Sequence, residues 1–174
     1  MKNEIKSKIK NLNDNDLVEA SGYFLIDKLG ILQLPDIEET IQKEGLSTEE
    51  ITSLIEQVGS DREEYRNLLR FILLSSIEEN EPEIKLAIEG AGQKQGITEI
   101  VPVLSLAMAF IIELYRMSQT KSIESEKEEV EFEKASDGYK LTYKKESIYT
   151  KPGSALGKII EMILKKPSKA DIGS

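Results

Sequence analysis

Residues 97–117 read ITEIVPVLSLAMAFIIELYRM, and this stretch decides the fold. From Ile100 to Ile112 it carries no charge, and Ser105 is its only polar side chain. Val103, Leu104, Ala107, Phe110, Ile111 and Leu114 form a stripe at helical spacing, and Leu106, Met108 and Ile112 make the opposite side apolar as well. A helix that is apolar all round has to be covered on every side, so the stretch predicts a central buried helix. A bilayer span needs about 20 predominantly apolar residues. The uncharged run here is 13 residues long and is closed by Glu99 on one side and by Glu113 and Arg116 on the other. Core burial is therefore preferred over a membrane-inserted hairpin, and Pro102 suits a first helical turn.

Upstream, the pattern is one of short amphipathic helices. Residues 2–12 place Ile5, Ile9 and Leu12 on one face. NDND at 13–16 offers Asn13 or Asp14 as an N-cap for a helix to about Leu29, which buries Leu17, Val18, Tyr23, Phe24, Leu25 and Leu29 and stops at Gly30. A further helix from about Asp36 ends at Gly45, with Leu46 placed to touch Ile41 in a Schellman cap. Ser47-Thr48-Glu49-Glu50 and Ser60-Asp61-Arg62-Glu63 have the form of capping boxes. They open helices carrying Ile51, Leu54 and Ile55, and Tyr65, Leu68, Leu69, Ile72, Leu73 and Ile77. A last short helix is expected from Pro82 to Gly90. Residues 1–90 thus predict a bundle of about six short helices.

Downstream the period changes. Val130 and Phe132 alternate with Glu129, Glu131 and Glu133, while Tyr139, Leu141 and Tyr143 alternate with Lys140, Thr142 and Lys144. Ser136-Asp137-Gly138 lies between, predicting a β-hairpin. Pro152-Gly153-Ser154 then begins an amphipathic helix with Leu156, Ile159, Ile160, Ile163 and Leu164 apolar and Lys158, Lys165 and Lys166 polar. A lone hairpin is not stable in water. It is expected to lie on the central and last helices, around Phe110, Ile111, Phe132, Leu141, Ile160 and Ile163. The expected architecture is mainly α with a small α+β part. It consists of an acidic bundle (1–90), a hinge (91–96), a helix–hairpin–helix unit (97–167) and a frayed tail (168–174).

Composition narrows the chemistry. There is no cysteine, so disulfides, thiolate nucleophiles and thiolate metal sites drop out. There is no histidine, which removes the usual general base and the commonest metal ligand. The net charge of −9 argues against a nucleic-acid partner. That charge is uneven: residues 1–90 carry 20 acidic and 10 basic side chains, residues 91–174 carry 12 and 13. The opening MKNEIKSKIK has no apolar h-region, so with no cysteine the cytoplasm is the expected setting, and a Lys/Ile/Glu-rich chain suits a bacterial one.

Apparent motifs reduce to local structure. Gly90 to Gly96 satisfies neither GxxxxGK[ST] nor GxGxxG and follows a helix instead of a strand, so it reads as a helix stop. NDND lacks the glycine and the distal acid of a calcium loop in register. Adjacent carboxylates such as Glu38/Glu39 and Glu49/Glu50 point apart on helices and form no acid/base dyad. Glu113 and Arg116 lie one turn apart as an ion pair or, with Tyr115, as a candidate pocket.

The expected function is a non-catalytic protein-interaction module, an adaptor or regulatory domain with no cofactor and no metal. Its candidate contact residues are Glu38, Glu39, Glu49, Glu50, Glu63 and Glu64 in the acidic half and Lys140, Lys144 and Lys158 in the basic one. The partner is another protein, or a second copy through the hairpin edge or the last helix. One alternative is an acidic inhibitor or immunity-type protein that masks a basic site on a toxin or nuclease. Another is a peripheral membrane or pore-forming element using 97–117.

Overall fold

The computed structural model describes residues 2–29, 39, 41–43, 45–91, 93, 100–119, 130–151 and 153–165. Its elements are α1 (Lys2–Asn11), α2 (Asp14–Leu29), α3 (Thr48–Ser60), α4 (Arg62–Ser75), α5 (Ile77–Ala91), α6 (Ile100–Gln119), β1 (Val130–Ala135), β2 (Gly138–Tyr143), β3 (Glu146–Thr150) and α7 (Ala155–Lys165). The fold is mainly α with one small antiparallel sheet, as the sequence predicts.

Helix α6 is the centre. Every residue from Val103 to Ile112 is buried, including Ser105, whose hydroxyl donates to the Val101 carbonyl at 3.0 Å. Among the described residues it is the one helix long and apolar enough to cross a membrane, and 61% of that window is buried inside the fold. Helix α2 packs on α5 and α6, α3 on α6 and α7, α4 on α2 and β3, and α6 on β1. Aromatic edges join helix to sheet: Phe110 meets Tyr143 at 6.2 Å and Tyr115 meets Phe132 at 5.7 Å, both T-shaped. The buried side chains form one cluster running from Ile5 to Ile163, with members from both halves of the chain. Tyr23, Leu29 and Phe132 are only partly buried against it.

Local signals hold with three corrections. Gly45 sits at φ +75, and Leu46 N–H donates to the Ile41 carbonyl (3.2 Å) while Gly45 N–H donates to that of Gln42 (2.9 Å), the bond pair of a Schellman cap. Ser47 caps α3 by accepting from Glu50 N–H. The second cap, however, is Asp61 and not Ser60. Helix α3 runs on through Ser60, whose hydroxyl bonds back to the Glu56 carbonyl, and extended Asp61 ends α3 and caps α4 through Glu64 N–H. Helix α5 begins earlier than Pro82; a kink at Asn80 (φ −133, ψ 32) precedes that proline, so the short helix predicted there is the second limb of a longer one. The third correction is the sheet, which has three strands in the order β1-β2-β3. Strand β3 pairs Leu141 with Ile148 and Tyr143 with Glu146, so β2 is no edge. Glycine is needed at Gly138 (φ +141), which starts β2 directly against the Thr150 carbonyl.

The hinge and the tail expected at 91–96 and 168–174 lie outside the described residues, apart from Ala91 and Gln93.

Candidate interaction surface

Helix α4 positions the surface. Its sequence sets arginines at a spacing of four, Arg62, Arg66 and Arg70, so they stack along one side. Arg62 and Arg66 both donate to Asp14 at the start of α2; the Arg66 contacts are 2.7 and 2.8 Å. Burial pushes the Asp14 carboxyl up, but the hydrogen bonds and charges of the two guanidinium groups outweigh it and leave its pKa lowered. Asn13, beside it, is the cap of α2, accepting from Asp16 N–H at 2.8 Å. Arg70 continues the row one turn further, where no acid among the described residues pairs with it. Its Nε is buried without a hydrogen-bond partner among them.

At the other end of α4, Asp61 as cap turns Glu64 toward α7. Glu64 Oε1 accepts from Leu156 N–H at 2.5 Å, and Ser154 Oγ accepts from Gly157 N–H at 3.1 Å. The first turn of α7 is thus capped partly from the other half of the chain. Burial raises the Glu64 pKa first and most; the Leu156 N–H pulls it back and the Asp61 charge adds to the rise.

Clefts open beside α3, α4, β3 and α7. One of about 90 Å³ is lined by Asp61, Glu63, Glu64, Thr150, Lys151 and Ser154. Thr150 is 6% exposed, and its Oγ1 has no hydrogen-bond partner among the described residues. A second, of about 350 Å³, is lined by Lys10, Arg70, Phe71, Leu74, Glu146 and Ile148. Asn67 and Tyr149 line both, so the two clefts are halves of one seam between α4 and β3. Tyr149 is 67% exposed on the ridge between them, with the Lys140 ammonium 5.7 Å from its ring centre. A third cleft, of about 480 Å³, lies between α3 and α7, where Glu50, Gln57, Lys158 and Glu161 surround Leu54 and Met162.

Of the residues singled out from sequence, Glu50 and Lys158 therefore meet across one cleft, and Glu63 and Glu64 share another. Glu49 is exposed on the first turn of α3. Glu39 pairs with Lys43 (3.3 Å), and Glu38 lies outside the described residues. Lys144 is engaged inside the fold, its ammonium on Glu79 at 2.9 Å and its side chain 12% exposed. Glu113 and Arg116 form a half-exposed ion pair, and Tyr115 is buried on the ring of Phe132. The residues that sequence reasoning passes over are Lys10, Asp61, Arg70, Tyr149 and Thr150. The four-residue arginine spacing, of which Asp14 meets the first two, is the signal that points to Arg70.

No family model, curated protein or solved structure shows significant similarity to this chain.

Proposed function

We propose that the protein is a non-catalytic protein-interaction module that docks a partner on the face made by α3, α4, β3 and α7. One observation carries the reading. The clefts gather charged side chains that have no ion-pair partner among the described residues, Glu63 and Lys151 at one end and Lys10 and Arg70 at the other, around the exposed ring of Tyr149 and the partly buried Leu74. Exposed charge around an apolar floor suits recognition of another polypeptide, with the charges setting register and on-rate. The partner is a protein in the cytoplasm of a bacterium, and association needs no cofactor and no nucleic acid. Self-association through the α7 side is the second use of the same face.

The acidic-masking reading is favoured by one feature, the unpaired carboxylate of Glu63 beside Asp61 and Glu64. It demands a strongly salt-dependent on-rate. The membrane reading would have to withdraw α6 from the core it fills, which sets it behind both.

Photo-crosslinking tests the proposal. A crosslinking amino acid replaces Ser53 or Asn67 on the docking face, or Leu86, which is 68% exposed on α5 and lines none of these clefts. Discrete adducts from the Ser53 and Asn67 positions, and none from Leu86, are expected in native cells. Adducts from Leu86 alone, or none from any position, would refute it.

A further inference from the structure

We infer that the α4–β3 seam binds an extended peptide carrying a basic residue and, three residues along, a carboxylate. The inference rests on the interaction-module reading and supplies the chemistry of its partner. The seam is electrically two-ended. Its acidic end holds Asp61, Glu63 and Glu64 against Lys151 alone. Its basic end holds Lys10 and Arg70, and the one acid there, Glu146, is already met by Lys6 at 3.5 Å. A cation fits the first and an anion the second; no single ion suits both.

The sizes agree. The acidic cleft, at about 90 Å³, is the smaller of the two, on the scale of an ammonium or guanidinium head. Thr150, buried in its wall with an unpartnered hydroxyl, offers an acceptor to such a donor. At the other end a guanidinium with free N–H groups matches the fork of a carboxylate. The floor there is apolar, made by Phe71, Leu74 and Ile148. It admits the methylene stem of Glu.

The span sets the spacing. From Glu64 to Arg70 is six residues of helix, about 9 Å at ~1.5 Å per residue. Strand β3 runs alongside in the opposite sense, with Lys151 at the acidic end and Ile148 at the basic end. An extended peptide advances ~3.3 Å per residue, so a separation of about three residues bridges the two ends. The residues between cross the exposed ring of Tyr149, which favours an apolar side chain there.

The test uses the full chain and short blocked peptides centred on Lys-Leu-Ala-Glu, Gln-Leu-Ala-Glu, Lys-Leu-Ala-Gln and Gln-Leu-Ala-Gln, titrated while ¹H–¹⁵N shifts are followed. Lys-Leu-Ala-Glu is expected to shift Asn67, Arg70, Tyr149 and Thr150 and to bind about tenfold more tightly than Gln-Leu-Ala-Gln. Arg70→Gln, or Lys10→Gln if the first variant folds poorly, should weaken Lys-Leu-Ala-Glu yet leave Lys-Leu-Ala-Gln unchanged. Glu63→Gln should show the converse selectivity for the Lys end. Equal affinity for all four peptides, shifts confined to other faces, or an Arg70→Gln loss that ignores the peptide's Glu would overturn the inference. If Asn67 crosslinks a partner while no peptide shifts the seam, this chemistry is wrong and the module reading stands. If both fail, both are wrong.

Discussion

Replacing Gly138 by Ala strikes the fold where it has least room. A Cβ at this position would lie 1.6 Å from the Thr150 carbonyl oxygen and 2.7 Å from its carbon. Carbon–oxygen contacts in folded chains stay above about 3 Å, so Thr150 must retreat by more than 1 Å or the turn must rebuild. Tyr139 and Thr150 are the last pair of the β2–β3 ladder, and the retreat opens that end. Losing about two backbone hydrogen bonds costs ~1–3 kcal/mol. Holding an alanine at φ +141 adds another ~1–3 kcal/mol. A total near 3–4 kcal/mol is a large part of the ~5–15 kcal/mol that stabilises a domain. Urea unfolding followed by far-UV circular dichroism reads this directly, as a fall in midpoint of about 1.5–2 M with the slope unchanged at ~2 kcal/mol/M. Because Thr150 and Tyr149 line the seam, the variant should also lose the peptide response. A midpoint within about 0.3 M of wild type would refute the close-approach argument.

Three further changes test the electrostatics and the turn. Asp14→Asn should destabilise by about 1–2 kcal/mol near neutral pH, since it breaks contacts with two arginines, one largely exposed. The lowered Asp14 pKa means this stability is present above the ordinary carboxylate pKa and is lost as pH falls through the folded value; melting temperature against pH should therefore show a shallower acid limb in the variant. Glu64→Gln carries the opposite sign. A raised pKa means the folded state holds its proton longer, so Glu64 costs stability as pH rises from its ordinary pKa to the raised one. The variant should flatten the fall of melting temperature in that window, while its amide oxygen can still accept from Leu156 N–H. Lys145→Gly should stabilise by ~0.5–1 kcal/mol, because Lys145 sits at φ 69, where a side chain is strained; an unchanged or lower urea midpoint would contradict this.

What could be read from sequence was whatever periodicity or capping chemistry encodes. The uncharged run around Phe110 announces a helix that must be surrounded, and Gly45-Leu46 announces the Schellman cap that closes on Ile41 and Gln42. Strand β3 stayed hidden for a physical reason. Its turn is built on Lys144 and Lys145 at φ 51 and 69, a primed-type conformation that Asn-Gly would signal and two lysines do not. ESIYT is also too short to show a period by itself. The acidic cap moved by one residue because Ser60 satisfies its own helix, a choice local sequence leaves open between adjacent Ser and Asp. The seam was invisible for a different reason. Its two walls, residues 61–74 and 146–151 with Ser154, are far apart in the chain, and it takes the fold to show that Arg70 does not share the acid its two predecessors meet.

The docking face exists because both halves of the chain are buried in one cluster, with α7 on α3 and β3 on α4. Native-state hydrogen exchange in rising denaturant tests that claim most directly. The slowest amides of α4, around Ile72, and of β2, around Leu141, should converge on one opening free energy with one denaturant slope, the mark of a single cooperative unit. Two plateaus, with the sheet and α7 opening while α4 stays protected, would contradict a shared core and remove the ground on which the seam is held in place.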